Sequence, residues 1–146
     1  MPIAVRPLAP SDHAAWAALW AGYLAFYDVE LPAEVTAGTW RRLVDPASGI
    51  DGLCAIDEAG TMVGIVHYLF HPVTWSLTER CYLEDLYVVD GVRGSGIGRR
   101  LMEAVFAIGD EQGADQTYWW THDTNDTARR LYDRVGEVTP FIKYVR

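Results

Sequence analysis

Val88-Val89-Asp90-Gly91-Val92-Arg93-Gly94-Ser95-Gly96-Ile97-Gly98-Arg99-Arg100-Leu101 is the stretch whose reading decides the fold. An apolar, β-branched strand ends, a turn follows, and three glycines alternate with other residues where a helix begins. Strand, glycine loop and helix N-terminus together form a phosphate-binding arrangement. The first backbone N–H groups of a helix lack intrahelical partners, and the helix dipole adds partial positive charge there. Glycines let the backbone approach a pyrophosphate with no Cβ in the way. Arg93 and Arg99 can add charge-assisted hydrogen bonds. A Walker loop would need Lys followed by Ser or Thr after the last glycine, but Arg99-Arg100 follows Gly98. A dinucleotide fingerprint starting at Gly94 would need its third glycine at position 99, which is Arg99. What remains is R-x-x-G-x-G, carried by Arg93, Gly96 and Gly98. The alternative is a glycine-rich turn with no ligand.

Working outward, residues 3–7 read as a short strand. Ser11 or Asp12 caps a helix to about residue 26, along which Trp16, Leu19, Trp20, Tyr23 and Leu24 recur at three- and four-residue steps. Pro32 and Glu34 open a second helix ending near Asp45-Pro46. Residues 53–57 and 62–70 form a hairpin around a turn at 57–61. Residues 80–89 are a fourth strand, and helix 97–112 carries Ile97, Leu101, Val105 and Ile108 on one stripe. A strand at 116–121, a helix at 125–135 and a final strand at 141–145 complete the chain. Helices between strands and an antiparallel middle give an α+β (mixed α/β) fold around one central sheet.

The chain has 146 residues, half of them hydrophobic, and this predicts a single domain over residues 1–146. No apolar run approaches the ~20 residues of a membrane span, and no signal-peptide pattern opens the chain. Cys54 and Cys81 read as reduced, buried thiols of a cytoplasmic protein, with a disulfide the other option. No C-x-x-C is present and no third ligand accompanies His67 and His71, so no metal is expected. The net charge of −8 disfavours nucleic acid and favours a cationic substrate.

A second motif stands downstream. Asn125-Asp126-Thr127-Ala128-Arg129-Arg130-Leu131-Tyr132 places Asn, then Ala, then Leu-Tyr on a short helix, one helix and one strand after the glycine loop. The two motifs, in this order and separation, resemble the GNAT N-acetyltransferase superfamily. The resemblance runs from about residue 3 to the end and is sharpest over 81–135. It implies a mostly antiparallel, twisted central sheet flanked by helices, with a splayed strand pair at the acyl-CoA site. Arg93, Gly94, Ser95, Gly96, Ile97, Gly98 and Arg99 would form the acetyl-CoA loop. Leu86, Tyr87 and Val88 match the strand that pairs with the pantetheine arm, and Asn125 matches the family's CoA contact. Asn125 also reads as a plain helix cap.

Acyl transfer to an amine needs a neutral amine, a polarised thioester carbonyl and a proton for the leaving thiolate. No G-x-S-x-G elbow and no cysteine beside a histidine offers a covalent nucleophile. Tyr132 aligns with the family's acid, and it also reads as a core aromatic. Glu84 and Asp85 sit in the apolar strand Cys81-Tyr82-Leu83-Glu84-Asp85-Leu86-Tyr87-Val88, where burial without partners is costly. Strict alternation puts Leu83, Asp85 and Tyr87 on one face and Tyr82, Glu84, Leu86 and Val88 on the other. Tyr-Leu-Glu-Asp resembles the spermidine/spermine acetyltransferases, whose glutamate, matched by Glu84, helps deprotonate the amine. The aromatic first helix and Thr121-His122-Asp123-Thr124-Asn125 resemble the histone and other protein acetyltransferases. Trp75, between two strands, is the candidate for an amine pocket through cation–π contact. His122 is placed near the acyl-CoA side. In one departure, Glu137-Val138-Thr139-Pro140 separates Gly136 from Phe141, where the family reads Gly-Phe. That places the substrate rim in question.

The expected protein is therefore an acetyl-CoA-dependent N-acetyltransferase. It acts on a cationic primary amine (a polyamine, a lysine side chain or a related small amine) by direct attack in a ternary complex. A non-catalytic acyl-CoA-binding regulatory module and a nucleotide-binding protein are the alternatives. Six tryptophans and eight tyrosines exceed what a small core readily buries, and this predicts a homodimer.

Overall fold

A computed structural model describes residues 2–146. Five strands form one sheet in chain order: β1 (Ala4–Pro7), β2 (Ile50–Ile56), β3 (Met62–His71), β4 (Arg80–Val88) and β5 (Thr117–Tyr118). The first four pair antiparallel and β5 joins β4 in parallel. The expected mostly antiparallel α+β architecture is therefore observed.

Helices cover both faces. α1 (His13–Phe26) and α2 (Ala33–Leu43) bury Trp16, Leu19, Trp20, Trp40 and Leu43 with Cys54, Met62 and Ile65 of the sheet. α3 (Ile97–Glu111) buries Ile97, Leu101, Met102 and Val105 with Leu53, Val63, Val66 and Leu83 on the other face. α4 (Asp126–Val135) adds Leu131, Tyr132 and Val135 to the edge of that second layer. The stripes at three- and four-residue steps are what bury these residues. Cys54 and Cys81 are buried and free, and β3 separates their strands.

Local chemistry explains the boundaries. The β2–β3 turn is held by Asp57, whose Oδ1 accepts from the N–H groups of Ala59 and Thr61, with Gly60 at φ +82°. The start of α1 departs from expectation. Neither Ser11 nor Asp12 caps its N–H groups with a side chain. Asp12 instead accepts from the Ala9 N–H at 2.7 Å and from Arg6 at 2.8 and 3.0 Å, closing a 3-10 turn over Pro10–Asp12.

Two expected strands also change. The strand at 116–121 is reduced to Thr117–Tyr118, because β5 diverges from β4 after two paired positions. Residues 141–145 form no strand; Phe141, Ile142, Tyr144 and Val145 are exposed, as is Val138. These residues have no strand beside them, since Trp119 and Trp120 have already left the ladder.

The α3 layer lies close because Gly64 lacks a side chain. A Cβ there would stand 2.9 Å from Leu101 Cδ1 and 3.3 Å from the Tyr87 carbonyl oxygen. Gly64→Val should destabilise the protein by about 1–3 kcal/mol through overpacking. Urea unfolding should show a lower midpoint with an unchanged slope.

Candidate active site

The register of β3 against β4 contains one irregularity. His67 pairs with Asp85 and Tyr68 pairs with Leu83, so Glu84 is an extra residue with no partner. A bulge of this kind adds one residue to one strand and inverts the alternation beyond it. Cys81 and Leu83 face the α3 layer before the bulge, and Leu86 and Val88 face it afterwards. Asp85 and Tyr87 turn to the α1 layer, where Asp85 meets Tyr23 and His67 and Tyr87 packs among the α1 residues. The strict alternation expected from sequence is thus corrected: Leu83 does not share a face with Asp85 and Tyr87.

Beyond Tyr82, β4 has no strand partner on its β5 side, so the strands splay and the edge through Leu86, Tyr87 and Val88 is open. The Val88 carbonyl oxygen is taken by Arg93 Nε at 2.9 Å. Arg93 also pairs with Asp90 at 2.6 Å and lies over the rings of Phe26 and Tyr87, at 5.4 and 5.3 Å from their centroids. This turns its guanidinium back onto the loop and α1. Arg99 pairs with Glu103 at 2.6 Å.

The glycine loop is open. Gly94 and Gly96 both have φ +85°, and nothing lies within 4 Å of where their Cβ atoms would be. Among the described residues, the N–H groups of residues 94–99 find no acceptor in the chain; the first bond of the helix is Arg100 N–H to the Gly96 carbonyl. Six unpartnered donors at a helix N-terminus make an anion cradle. Buried Ile97 anchors it to the core.

The two sequence motifs meet at Gly98. Atoms of Leu131, Val88 and Leu86 lie 3.6, 3.8 and 4.0 Å from a Cβ built there. The loop helix, the open strand and α4 thus converge on one point. Tyr132, next to Leu131, is half-buried against Trp119, edge to face at 5.6 Å between centroids. Burial pushes its phenol up to about 12, so it carries its proton throughout the neutral range. Asn125 caps α4, accepting from the Ala128 N–H at 3.4 Å, so the cap reading holds. A cleft opens between the end of α1 and the loop before α4, lined by Phe26, Tyr27, Asp28, His122, Thr124 and Asn125.

Glu84 is exposed at the bulge. Desolvation, and then the neighbouring Asp85, push its carboxyl above the usual glutamate range; a hydrogen bond with Tyr82 and the cation Lys143 act against them. Trp75 does not join this group. It is 81% exposed on the loop between β3 and β4 and does not line the cleft. Sequence reading also missed Tyr23, Tyr27 and the contacts of His67. Only the aromatic face of the first helix hinted at them. His71 is occupied with the Tyr118 hydroxyl at 2.8 Å.

The sequence model of the acetyltransferase (GNAT) family matches residues 13–136. The chain belongs to the GNAT acetyltransferase family. It is 38% identical over 145 residues to the D-amino-acid N-acetyltransferase HPA3 of Saccharomyces cerevisiae, covering 99% of this chain and 90% of that one. It is 34% identical over 79 residues to the thialysine N-epsilon-acetyltransferase of Sus scrofa, covering 54% of this chain and 46% of that protein. The fold matches a ribosomal-protein-alanine N-acetyltransferase from Brucella melitensis biovar Abortus 2308 with a TM-score of 0.84 at 19% identity, over 100% of this chain and 99% of that one. It also matches an aminoglycoside N-acetyltransferase in complex with CoA, with a TM-score of 0.85 at 16% identity, over 99% and 94% of the two chains. This GNAT protein is an N-acetyltransferase.

The surroundings of Glu84 give a test of the geometry. In carboxyl-observed NMR, Glu84 should titrate above an ordinary glutamate. Tyr82→Phe, which removes a group that lowers it, should move that titration higher still.

Proposed function

We propose that this GNAT enzyme transfers the acetyl group of acetyl-CoA to a small cationic primary amine, with Glu84 and Tyr132 as the proton-transfer groups. The observation that carries this reading is the convergence of the anion cradle, the open β4 edge and α4 at Gly98, with Tyr132 beside it and Glu84 on the same strand. A single catalytic domain over residues 1–146 and a cytoplasmic setting suit the two free, buried thiols.

The residues present fit the co-substrate. The donors of residues 94–99, with Arg93 and Arg99 at the loop's two ends, would hold its pyrophosphate. The open edge through Leu86, Tyr87 and Val88 would pair with its pantetheine arm, and Asn125 lies on the cleft wall. Acetyl-CoA supplies a thioester-activated acetyl group. Overall, an amide C–N bond forms and the thioester C–S bond breaks. The acceptor ammonium gives up two protons: the first goes to Glu84, directly or through water, and frees the attacking lone pair; the second leaves the nitrogen as the amide forms and restores the proton that Tyr132 gives to the thiolate. The thiolate receives one proton, which the Tyr132 phenol donates.

The acceptor is expected to present an ammonium to the acidic pair Glu84–Asp85. Polyamines, lysine-like side chains and related small amines have that group. HPA3 and the thialysine acetyltransferase are named for amino-acid acceptors, which also carry a carboxylate. Lys143 is close enough to Glu84 to lower its proton affinity and supplies a cation suited to that carboxylate. This favours an amino-acid acceptor within the class.

The reading includes a homodimer. Val138, Phe141, Ile142, Tyr144 and Val145 are 68–87% exposed in a segment with no strand partner in its own chain. A second copy is the occupant we assign, because the segment exposes apolar, β-branched and aromatic side chains suited to a strand and β5 pairs over only two residues. Light scattering should give twice the chain mass, and Ile142→Asp/Tyr144→Asp should give a folded monomer. A monomeric wild type at micromolar concentration would overturn this part.

Thiol release from acetyl-CoA, measured over a panel of polyamines, D- and L-amino acids and thialysine, tests the function. Tyr132→Phe should lower kcat about 10²- to 10⁴-fold with acetyl-CoA affinity nearly intact. Glu84→Gln should remove the acidic limb of the rate profile, so that activity recovers only where more amine is already neutral. Gly96→Val places a β-branched residue at φ +85° and fills the cradle; calorimetry should show acetyl-CoA binding severely weakened. No thiol release with any amine, with acetyl-CoA still bound, would leave a binding module.

A further inference from the structure

His67 lies in the middle of β3 and is 2% exposed, yet both of its ring nitrogens are engaged. Trp16 Nε1 donates to Nε2 at 3.0 Å. An indole N–H only donates, so Nε2 holds the lone pair and the ring proton sits on Nδ1. That proton is donated to Asp85 Oδ2 at 2.9 Å. Tyr23 donates its hydroxyl to the other oxygen, Asp85 Oδ1, at 2.6 Å. Trp16 and Tyr23 are two turns apart on one face of α1, so a single helix supplies both ends of the chain of bonds.

Every link is satisfied, and among the described residues no buried side-chain polar atom lacks a partner. Apolar residues of the same volume would fill this space with less desolvation. What the polar set does provide is a fixed carboxylate at its outer end. Asp85 is 15% exposed and adjoins the bulged Glu84.

We propose that Trp16, His67 and Tyr23 are positioning residues for acetyl transfer: they lock Asp85 as an oriented carboxylate beside Glu84, where it binds the acceptor's ammonium. This rests on the reading of Glu84 as proton acceptor. The lock is chemical. A second proton on His67 would have to sit on Nε2, against the Trp16 N–H, so the core cannot neutralise Asp85. The groups facing Asp85 are Tyr23 of α1, Tyr27 at the C-cap of that helix, His67 of β3 and Glu84 of its own strand. Those facing Glu84 are Tyr82 and Asp85 of β4, His67 of β3, Tyr23 of α1, Tyr118 of β5 and Lys143 of the C-terminal segment.

Trp16→Phe keeps an aromatic ring and removes only the N–H, which frees Nε2. Nitrogen NMR of the imidazole, recorded without substrate, should show wild-type His67 as a single Nδ1–H tautomer, with Nε2 accepting from Trp16. In Trp16→Phe the same ring should take a second proton as pH falls. In kinetics with the amine acceptor, Asp85→Asn should move the acidic limb of kcat/KM to lower pH and raise KM for the amine roughly tenfold, the size of one pKa unit of interaction. Trp16→Phe should do the same at the pH where His67 is doubly protonated, with acetyl-CoA affinity unchanged. Tyr23→Phe, further from the buried core, removes the second donor and should act in the same direction if Trp16→Phe fails to fold. A wild-type His67 protonated on Nε2, or an amine KM that rises in neither Asp85→Asn nor Tyr23→Phe, would overturn the proposal. If Glu84→Gln itself leaves the limb in place, it is the proton-acceptor reading that fails, whatever the tautomer of His67.

Discussion

One extra residue in β4 governs the site. Strand side chains alternate with a period of two, so an insertion of one residue transfers every later side chain to the opposite face. Before Glu84, the odd-numbered Cys81 and Leu83 build the α3 layer; after it, the even-numbered Leu86 and Val88 do. The same inversion sends Asp85 and Tyr87 to the α1 layer. Without it, the core requirements of the two halves of β4 would conflict. Two adjacent carboxylates can therefore stand in a largely apolar strand: Glu84 is expelled at the kink, and Asp85 is received by polar groups of α1 and β3.

The bulge is tolerated because both layers press on β4 from fixed distances. On one side, Gly64 and Gly98 let α3 and α4 approach the sheet until Leu101 and Leu131 fill the gap. On the other, Gly22 brings α1 close to Tyr87, whose hydroxyl would lie 2.5 Å from a Cβ at that position. Tyr87 in turn supports Arg93, which ties the glycine loop to the Val88 carbonyl. The loop's open N–H groups are thus held by contacts on both faces of the sheet, while the loop itself has little beneath it.

Burial also sets the protonation of four phenols. Tyr23, Tyr27, Tyr82 and Tyr132 are all pushed above the ordinary tyrosine range, with desolvation the largest cause in each. They stay neutral donors at physiological pH. Glu84 shifts in the opposite functional sense: partial desolvation, and then the neighbouring Asp85, raise its proton affinity. The chain thus carries neutral phenols and a carboxylate of raised proton affinity in the same region of the fold. No group of three His, Cys, Asp or Glu side chains that could hold a metal ion occurs among the described residues.

Local chemistry settled much of this protein. The loop from Arg93 to Arg99, the helix from Asn125 to Tyr132, the β2–β3 hairpin and the apolar stripes of α1 and α3 are all decided by residues within a few positions of one another. Glycine at positive φ, an Asx turn and helical periodicity act at that range. The bulge at Glu84 was not legible, because a register shift is a relation between β3 and β4 and changes no residue in either. The Trp16–His67–Asp85–Tyr23 chain spans separations of up to 62 residues, so no window of sequence contains it. Residues 141–145 show the converse. Their β-branched and aromatic residues suit a strand, but a strand exists only where a neighbour accepts its hydrogen bonds, and within one chain the sheet has already ended at Tyr118. Sequence by itself determined the elements and the kind of chemistry they carry. Tertiary structure decided which carboxylate is buried and which is exposed, and what each one touches, because those depend on pairings that only the folded chain makes.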